Sequence, residues 1–253
     1  MSKIMNILGK LFPSAFSEPT FPQSHDGDNA VKRQFLNIKA LAEDIERLDP
    51  TALPSLVKVL LRPLQAEQLC GVVDHDYHRT PSEIIPWGFF GHDLGDPSLS
   101  MMVLKQELKV EASGYNVDLA TDIVLTTPRH RDRLSRTIGR IGPNRAWGPW
   151  TPDPLNHSIE LWLPWRIAFV HGGNHSIAAG ILAGEGSLVP RTVYDMAPVL
   201  NQISCDGSFF TRLDGVPCAQ VFNARRAGAF LVGQLMAQAT QQHAVNKVFK
   251  GRS

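Results

Sequence analysis

Six consecutive residues, His171-Gly172-Gly173-Asn174-His175-Ser176, gather two imidazoles, an amide and a hydroxyl around a glycine pair. Glycine lets the backbone come close to whatever sits at a turn. Ahead of the pair, Ile167 to Val170 is a short apolar run with strand character; behind it, Ile177, Ile181 and the alanines have helical spacing. In a strand, glycine turn and helix, the first helical amides have no partner inside the helix and can point at an anion. Gly172, Gly173, Asn174, His175 and Ser176 are therefore candidate phosphate ligands, and His175 at the helix start is a candidate general acid or base. The same residues admit a structural reading, in which the glycines satisfy backbone geometry and Asn174 or Ser176 caps the helix. His171 and His175 are four apart, but the intervening glycines break the helix that would put both on one face, which argues against a helical two-histidine metal site.

A second candidate lies upstream. If residues 129 to 141 form a helix after the Thr127-Pro128 step, Arg129, Arg133, Arg136 and Arg140 fall on one face and Leu134, Ile138 and Ile141 make the adjoining apolar stripe. Guanidinium groups bind phosphate bidentately and displace counterions, so such a face suits a nucleic-acid backbone. A solvated charged helix is the alternative. Between the two candidates, a proline-punctuated loop from Gly148 to His157 places Asp153 and His157 just before an alternating strand, Ser158 to Leu163, that carries Glu160. Asp153, His157 and Glu160 are candidates for metal binding or water activation, because hydrolysis of a phosphate ester needs a base or a hard cation nearby.

These groups need elements to position them. Residues 1–29 read as a flexible arm rich in Ser, Pro and Asp, and residues 30–110 as a helical N-terminal region. Within that region a helix is expected over 30–48, closed by Asp49-Pro50, a second from about Ser55 to Val73 interrupted at Pro63, and a third over 97–110. Residues 74–96 hold His75, Asp76, His78, Glu83, His92 and Asp93, but their spacing fits no metal motif and the prolines and glycines among them read as loop. Residues 111–246 read as an α/β domain, with strands at Thr121 to Thr127, Ser158 to Leu163, Ile167 to Val170, Leu188 to Tyr194 and Ser208 to Leu213, and a long final helix from about Asn223 to Gln241. The tail from Lys247 reads as frayed.

Hydrophobic residues make up 43% of the 253 and charged residues 19%, enough apolar side chain for an ample core and too much for disorder throughout. The formal net charge of +1 provides no bulk attraction to nucleic acid or membrane, so any basic surface must be local. Three cysteines without a CxxC pair argue for a reducing compartment, against a structural zinc, and for buried thiols. Neither a signal peptide nor a bilayer-spanning run is evident, which predicts a cytoplasmic protein. Walker A, GxGxxG and GxSxG patterns are absent.

The order of strand, Gly172-Gly173-Asn174-His175-Ser176, alanine-rich helix, Gly184-Glu185-Gly186 and a strand after Pro190 resembles the core motif of the ParB/sulfiredoxin superfamily. With the arginine-rich helix after a Thr-Pro step, Asp153, Asn156-His157 and Leu163-Pro164-Trp165, it resembles the fertility-inhibition branch, the Osa- and FiwA-like proteins of conjugative plasmids. The resemblance covers roughly residues 120 to 235 and implies an α/β (α+β) fold with a ParB/sulfiredoxin-like core and an N-terminal helical extension. It further implies ATP or another nucleotide at the 172–176 turn, Mg²⁺ as its companion, DNA as a partner, and a factor that blocks conjugative DNA transfer through a type IV secretion system, with ATP hydrolysis and DNA cleavage as the chemistry. Where ParB has an arginine-containing box and sulfiredoxin a cysteine inside its glycine motif, this chain has Asn174 and Ser176, a departure that speaks against sulfinic-acid reduction and does not support nucleotide hydrolysis. The alternative is a catalytically inactive binding protein that docks through its N-terminal helices on a conjugation coupling protein or secretion ATPase.

Overall fold

The computed structural model describes residues 26–74, 106–215 and 217–250, and the chain is a mixed α and β protein. It divides into two compact units. In described residues, one holds 26–60, 106–108, 196–215 and 217–250, and the other 61–74 and 109–195.

The first unit joins the two ends of the described chain. Helix α1 (Asp26–Leu48) packs along the final helix α6 (Ala224–Lys250). Their approach is close: a Cβ on Gly228 would lie 2.6 Å from the Ile38 side chain. Asp49 turns the chain into a short 3-10 segment, Pro50–Ala52, by accepting from the Thr51 amide (2.9 Å) and hydroxyl (2.7 Å). Helix α2 (Leu53–Asp74) follows and runs from the first unit into the second. A short helix α5 (Ala197–Leu200) leads into an antiparallel sheet of β8 (Ile203–Cys205), β9 (Phe209–Arg212) and β10 (Pro217–Gln220).

The second unit is built on a five-stranded mixed sheet in the order β1 (Lys109–Val110), β7 (Thr192–Asp195), β4 (Ser158–Leu163), β5 (Ile167–Gly172), β3 (Ile123–Leu125). Strand β4 runs antiparallel to β5 and parallel to β7, and β5 is parallel to β3. A separate pair joins β2 (Val117–Asp118) to β6 (Ser187–Leu188). Helices α3 (Arg131–Arg140) and α4 (Asn174–Ala183) pack on each other, sharing Leu134, Ala178 and Val72 of α2 in one apolar cluster. Val124, Ile159, Leu161, Ala168, Ile177 and Val193 form the main core, each no more than 1% exposed.

Several expectations need correction. Helix α2 is continuous through Pro63, held by the burial of Leu53, Leu56, Leu61 and Leu64 along it. The single strand expected from Leu188 to Tyr194 is two, in different sheets, because Pro190 has no N–H to offer a ladder. Residues 109–110, assigned to a helix from the sequence, pair with β7. Helix α1 begins at Asp26, inside the expected arm, and α6 continues to Lys250. Cys70 is exposed, whereas burial pushes the Cys205 thiol up to about 12. The acidic and histidine-rich stretch at 75–96 lies outside the described residues, as does the arm before Asp26.

Candidate functional site

Strand β5 ends at Gly172, and Gly173 turns the chain into α4 with φ 77° and ψ 22°, the left-handed region that glycine tolerates. Close packing also demands glycine here. A Cβ on Gly172 would meet the Asn156 carbonyl oxygen at 2.5 Å, and one on Gly173 would meet the His157 ring at 2.3 Å. The pair therefore lets the 153–157 loop press on the turn, besides baring the first amides of α4.

That loop is held by hydrogen bonds that fix the chemical state of His157. The Asp153 amide donates to Nδ1 (2.9 Å), so the ring proton sits on Nε2, which donates to Ser176 Oγ (2.7 Å); the serine hydroxyl in turn donates to the Gly173 carbonyl (3.0 Å). His157 stacks on Trp150 at 4.9 Å, and Trp150 Nε1 donates to the Ser176 carbonyl (2.7 Å). Burial holds the His157 imidazole below its ordinary value, so it is neutral near pH 7. Neither ring nitrogen is left for water or metal, and Ser176 faces a donor rather than a base. The Asp153 carboxylate accepts from the Leu155 amide (3.0 Å) and shapes its own turn.

Asn174 is likewise anchored. Its Oδ1 accepts from the Thr127 amide (2.8 Å) and the Thr126 hydroxyl (2.9 Å), tying the end of β3 to the start of α4 and directing its Nδ2 donors the other way. His175 Nε2 accepts from the His130 amide (3.1 Å), and the two imidazoles stack at 5.8 Å. Burial first, then the charges of His130 and Arg133, keep His175 below its ordinary value. Its acceptor nitrogen is already engaged, which removes it as a general base and leaves Nδ1–H as a donor.

The turn opens into a cleft of about 920 Å³. Gly172, Gly173, Asn174, His175 and Ser176 all line it, together with Arg129, Arg133 and Arg136. Among the described residues that line it, none is acidic. Arg129 comes before α3, because His130, bonded to His175 through its amide, stays extended as the cap residue; the helical face is Arg133, Arg136 and Arg140. Arg140 does not line the cleft and lies over the Trp147 ring, 5.1 Å from its centroid. Asp153, His157 and Glu160 do not line it either.

Glu160 is buried in the sheet, 6% exposed. Its Oε1 accepts from Trp162 Nε1 (2.9 Å) and its Oε2 meets His171 Nε2 (2.9 Å). The pairing of β4 with β5 skips His171, setting Ser158 opposite Gly172 and Ile159 opposite Val170, so His171 sits at a bulge. It lines the cleft with a half-exposed side chain. Residue type and spacing alone mark His171 only as half of a disfavoured helical metal pair, and nothing in them singles out Trp147, Thr127 or His130 as cleft residues. The alternation of β4 was visible, but not the bulge that brings Glu160 to His171. Among the described residues, no group of three His, Cys, Asp or Glu side chains could hold a metal ion, and no helix is long and apolar enough to cross a membrane.

No curated protein and no solved structure matches the chain. A model of a family of unknown function, DUF6710, matches residues 23–243, spanning both compact units, and the chain belongs to that family.

Proposed function

We propose that this protein binds the phosphates of a nucleotide or of DNA in the cleft at the Gly172–Gly173 turn. The observation that carries the reading is a lining that, among the described residues, holds three arginines and no carboxylate beside the start of a helix whose first turn has no side-chain cap. Oriented amides and guanidinium groups favour an anion together. Arg129, Arg133 and Arg136 are the phosphate ligands in this reading, with Asn174 Nδ2 and His175 Nδ1–H as further donors. A nucleotide fits the donor set, and Mg²⁺ carried on its phosphates needs few protein ligands of its own.

The biological role follows the sequence resemblance: a ParB/sulfiredoxin-like core, acting in the cytoplasm as a fertility inhibition factor that blocks conjugative DNA transfer. Binding rather than cleavage by the expected residues is favoured, since His157 and His175 have their acceptor nitrogens engaged within the protein and Asp153 does not line the cleft. A second reading, hydrolysis of the bound phosphate ester, draws on one observation: His171 reaches the cleft with Nε2 held by a buried carboxylate, which leaves Nδ1 as its acid/base atom.

Fluorescence anisotropy with labelled DNA, and competition by ATP, tests the binding. Micromolar binding that fades with salt and is lost in Arg133→Glu/Arg136→Glu supports it; equal binding by that variant overturns it. In a mating assay, donors expressing the wild type should transfer a conjugative plasmid less often than donors expressing the double variant. Equal transfer removes the fertility-inhibition role. Turnover of ATP or DNA that disappears in His171→Ala and returns with added imidazole would establish the second reading; turnover unchanged in His171→Ala would remove it.

A further inference from the structure

We infer that the cleft's ligand carries an unpaired nucleobase and that Trp147 is the platform on which the base stacks. The inference rests on the phosphate reading above and deepens it from an anion to a class of anion.

Trp147 is 52% exposed and lines the cleft, whereas Trp150, Trp162 and Trp165 are at most 6% exposed. An indole held in water forgoes a large hydrophobic gain, so its surroundings tell whether it is a loose end or a fixture. They fix it. The Trp147 amide donates to the Arg140 carbonyl (2.8 Å), and the Arg140 guanidinium lies over the indole ring. The loop that carries it is closed by the Gly142 amide on the Gly148 carbonyl (2.8 Å) and the Gly148 amide on the Arg145 carbonyl (2.9 Å). Arg145 turns back on α3 and donates to the carbonyls of Ile138 (2.6 Å) and Ile141 (2.7 Å), placing its charge at the negative end of the helix. Gly142 and Gly148 both have positive φ, 134° and 74°, which lets so short a loop close.

A braced, half-exposed indole beside three arginines is what an unpaired base on a phosphate chain requires. Stacking on an aromatic ring tolerates any base, because every base has a π-face, and it excludes a base already paired within a duplex. Arg140 behind the ring adds a cation–π contact that holds it in place before the ligand arrives. Inorganic phosphate, polyphosphate or an intact duplex would use the arginines and leave Trp147 idle.

The test measures affinity of the full chain for four probes: a single-stranded oligonucleotide of about ten thymidines, within the site size of single-strand-binding modules, the same strand without bases, a duplex of equal length, and polyphosphate. The single strand is expected to bind about fivefold to 150-fold more tightly than its abasic counterpart. Trp147→Ala should lower that ratio to near one without changing polyphosphate binding, and Trp147→Phe should keep most of it. Competition by ATP as effective as that of the strand would assign a mononucleotide; weaker competition would assign single-stranded nucleic acid. If the abasic strand binds as tightly as the thymidine strand, or if Trp147→Ala keeps the ratio, the base platform is wrong while the phosphate cleft stands. Failure of all four probes to bind would overturn both.

Discussion

One set of polar residues at the Gly172–Gly173 turn, His157, Ser176 and Asn174, has its acceptors and its hydroxyl committed to the protein, while a second set, Arg133, Arg136 and His171, meets the same turn with side chains open to the cleft. The two sets contain the residue types a catalytic or binding site would draw on. What separates them is which hydrogen-bonding atoms remain unused. In His157 both nitrogens are occupied and burial keeps the ring neutral, so it works as a spacer between the 153–157 loop and α4. Arg133 and Arg136 are exposed, and among the described lining residues no carboxylate stands beside their guanidinium groups.

If the first set is structural and the second is not, substitutions in each should be felt in different measurements. The largest effect on folding belongs to Gly173→Ala, which forces a side chain into left-handed backbone and onto the His157 ring. A loss of about 2–4 kcal/mol is expected in urea unfolding. Arg133→Glu/Arg136→Glu should weaken polyanion binding by about tenfold or more for each arginine and leave the free energy of unfolding within about 0.5 kcal/mol of wild type. His157→Ala should destabilise by about 1–3 kcal/mol, because it strips the Trp150 stack and leaves the Asp153 amide without its acceptor, yet the folded variant should bind the same ligand as tightly as wild type. Loss of binding without loss of stability would instead place His157 in the ligand site.

The smallest effect concerns pH. His157 and His175 are held below the ordinary value of 6.5 by burial, so the unfolded chain takes up their protons first as the solution is acidified. Stability contributed by the neutral rings is complete above 6.5 and declines as pH falls through the lower folded values. His157→Gln and His175→Gln should each flatten that decline, measured by unfolding from pH 7.5 down to about pH 5.

Much of the frame was legible in the sequence because local signals and tertiary packing agree. Ser158–Leu163 has the alternation of a strand and is one to the residue; Ile167 to Val170, the glycine pair and Ile177 announce strand, turn and helix. Elsewhere long-range contacts decided. Pro63 is a local breaker overruled by the burial of the helix around it, and Pro190 divides a run that propensity alone would join. The pairing of α1 with α6 across almost the whole chain leaves no trace in either segment's spacing. At the site, the glycine turn and the arginines at 129, 133 and 136 were readable from residue type and period. The Glu160–His171 pair depends on a bulge between two strands, and Trp147 gains its meaning from Arg140 and Arg145, so neither could be read from one segment.

The central claim, a phosphate site formed by the arginines at the glycine turn, is tested most directly by the salt dependence of single-stranded DNA binding. Plotted as log affinity against log salt concentration, each arginine that contacts a phosphate contributes about −0.7 to the slope. Arg133→Ala and Arg136→Ala should each make the slope shallower by about that amount, and His157→Gln should leave it unchanged. Slopes unaltered by both arginine substitutions, or altered equally by His157→Gln, would contradict the account.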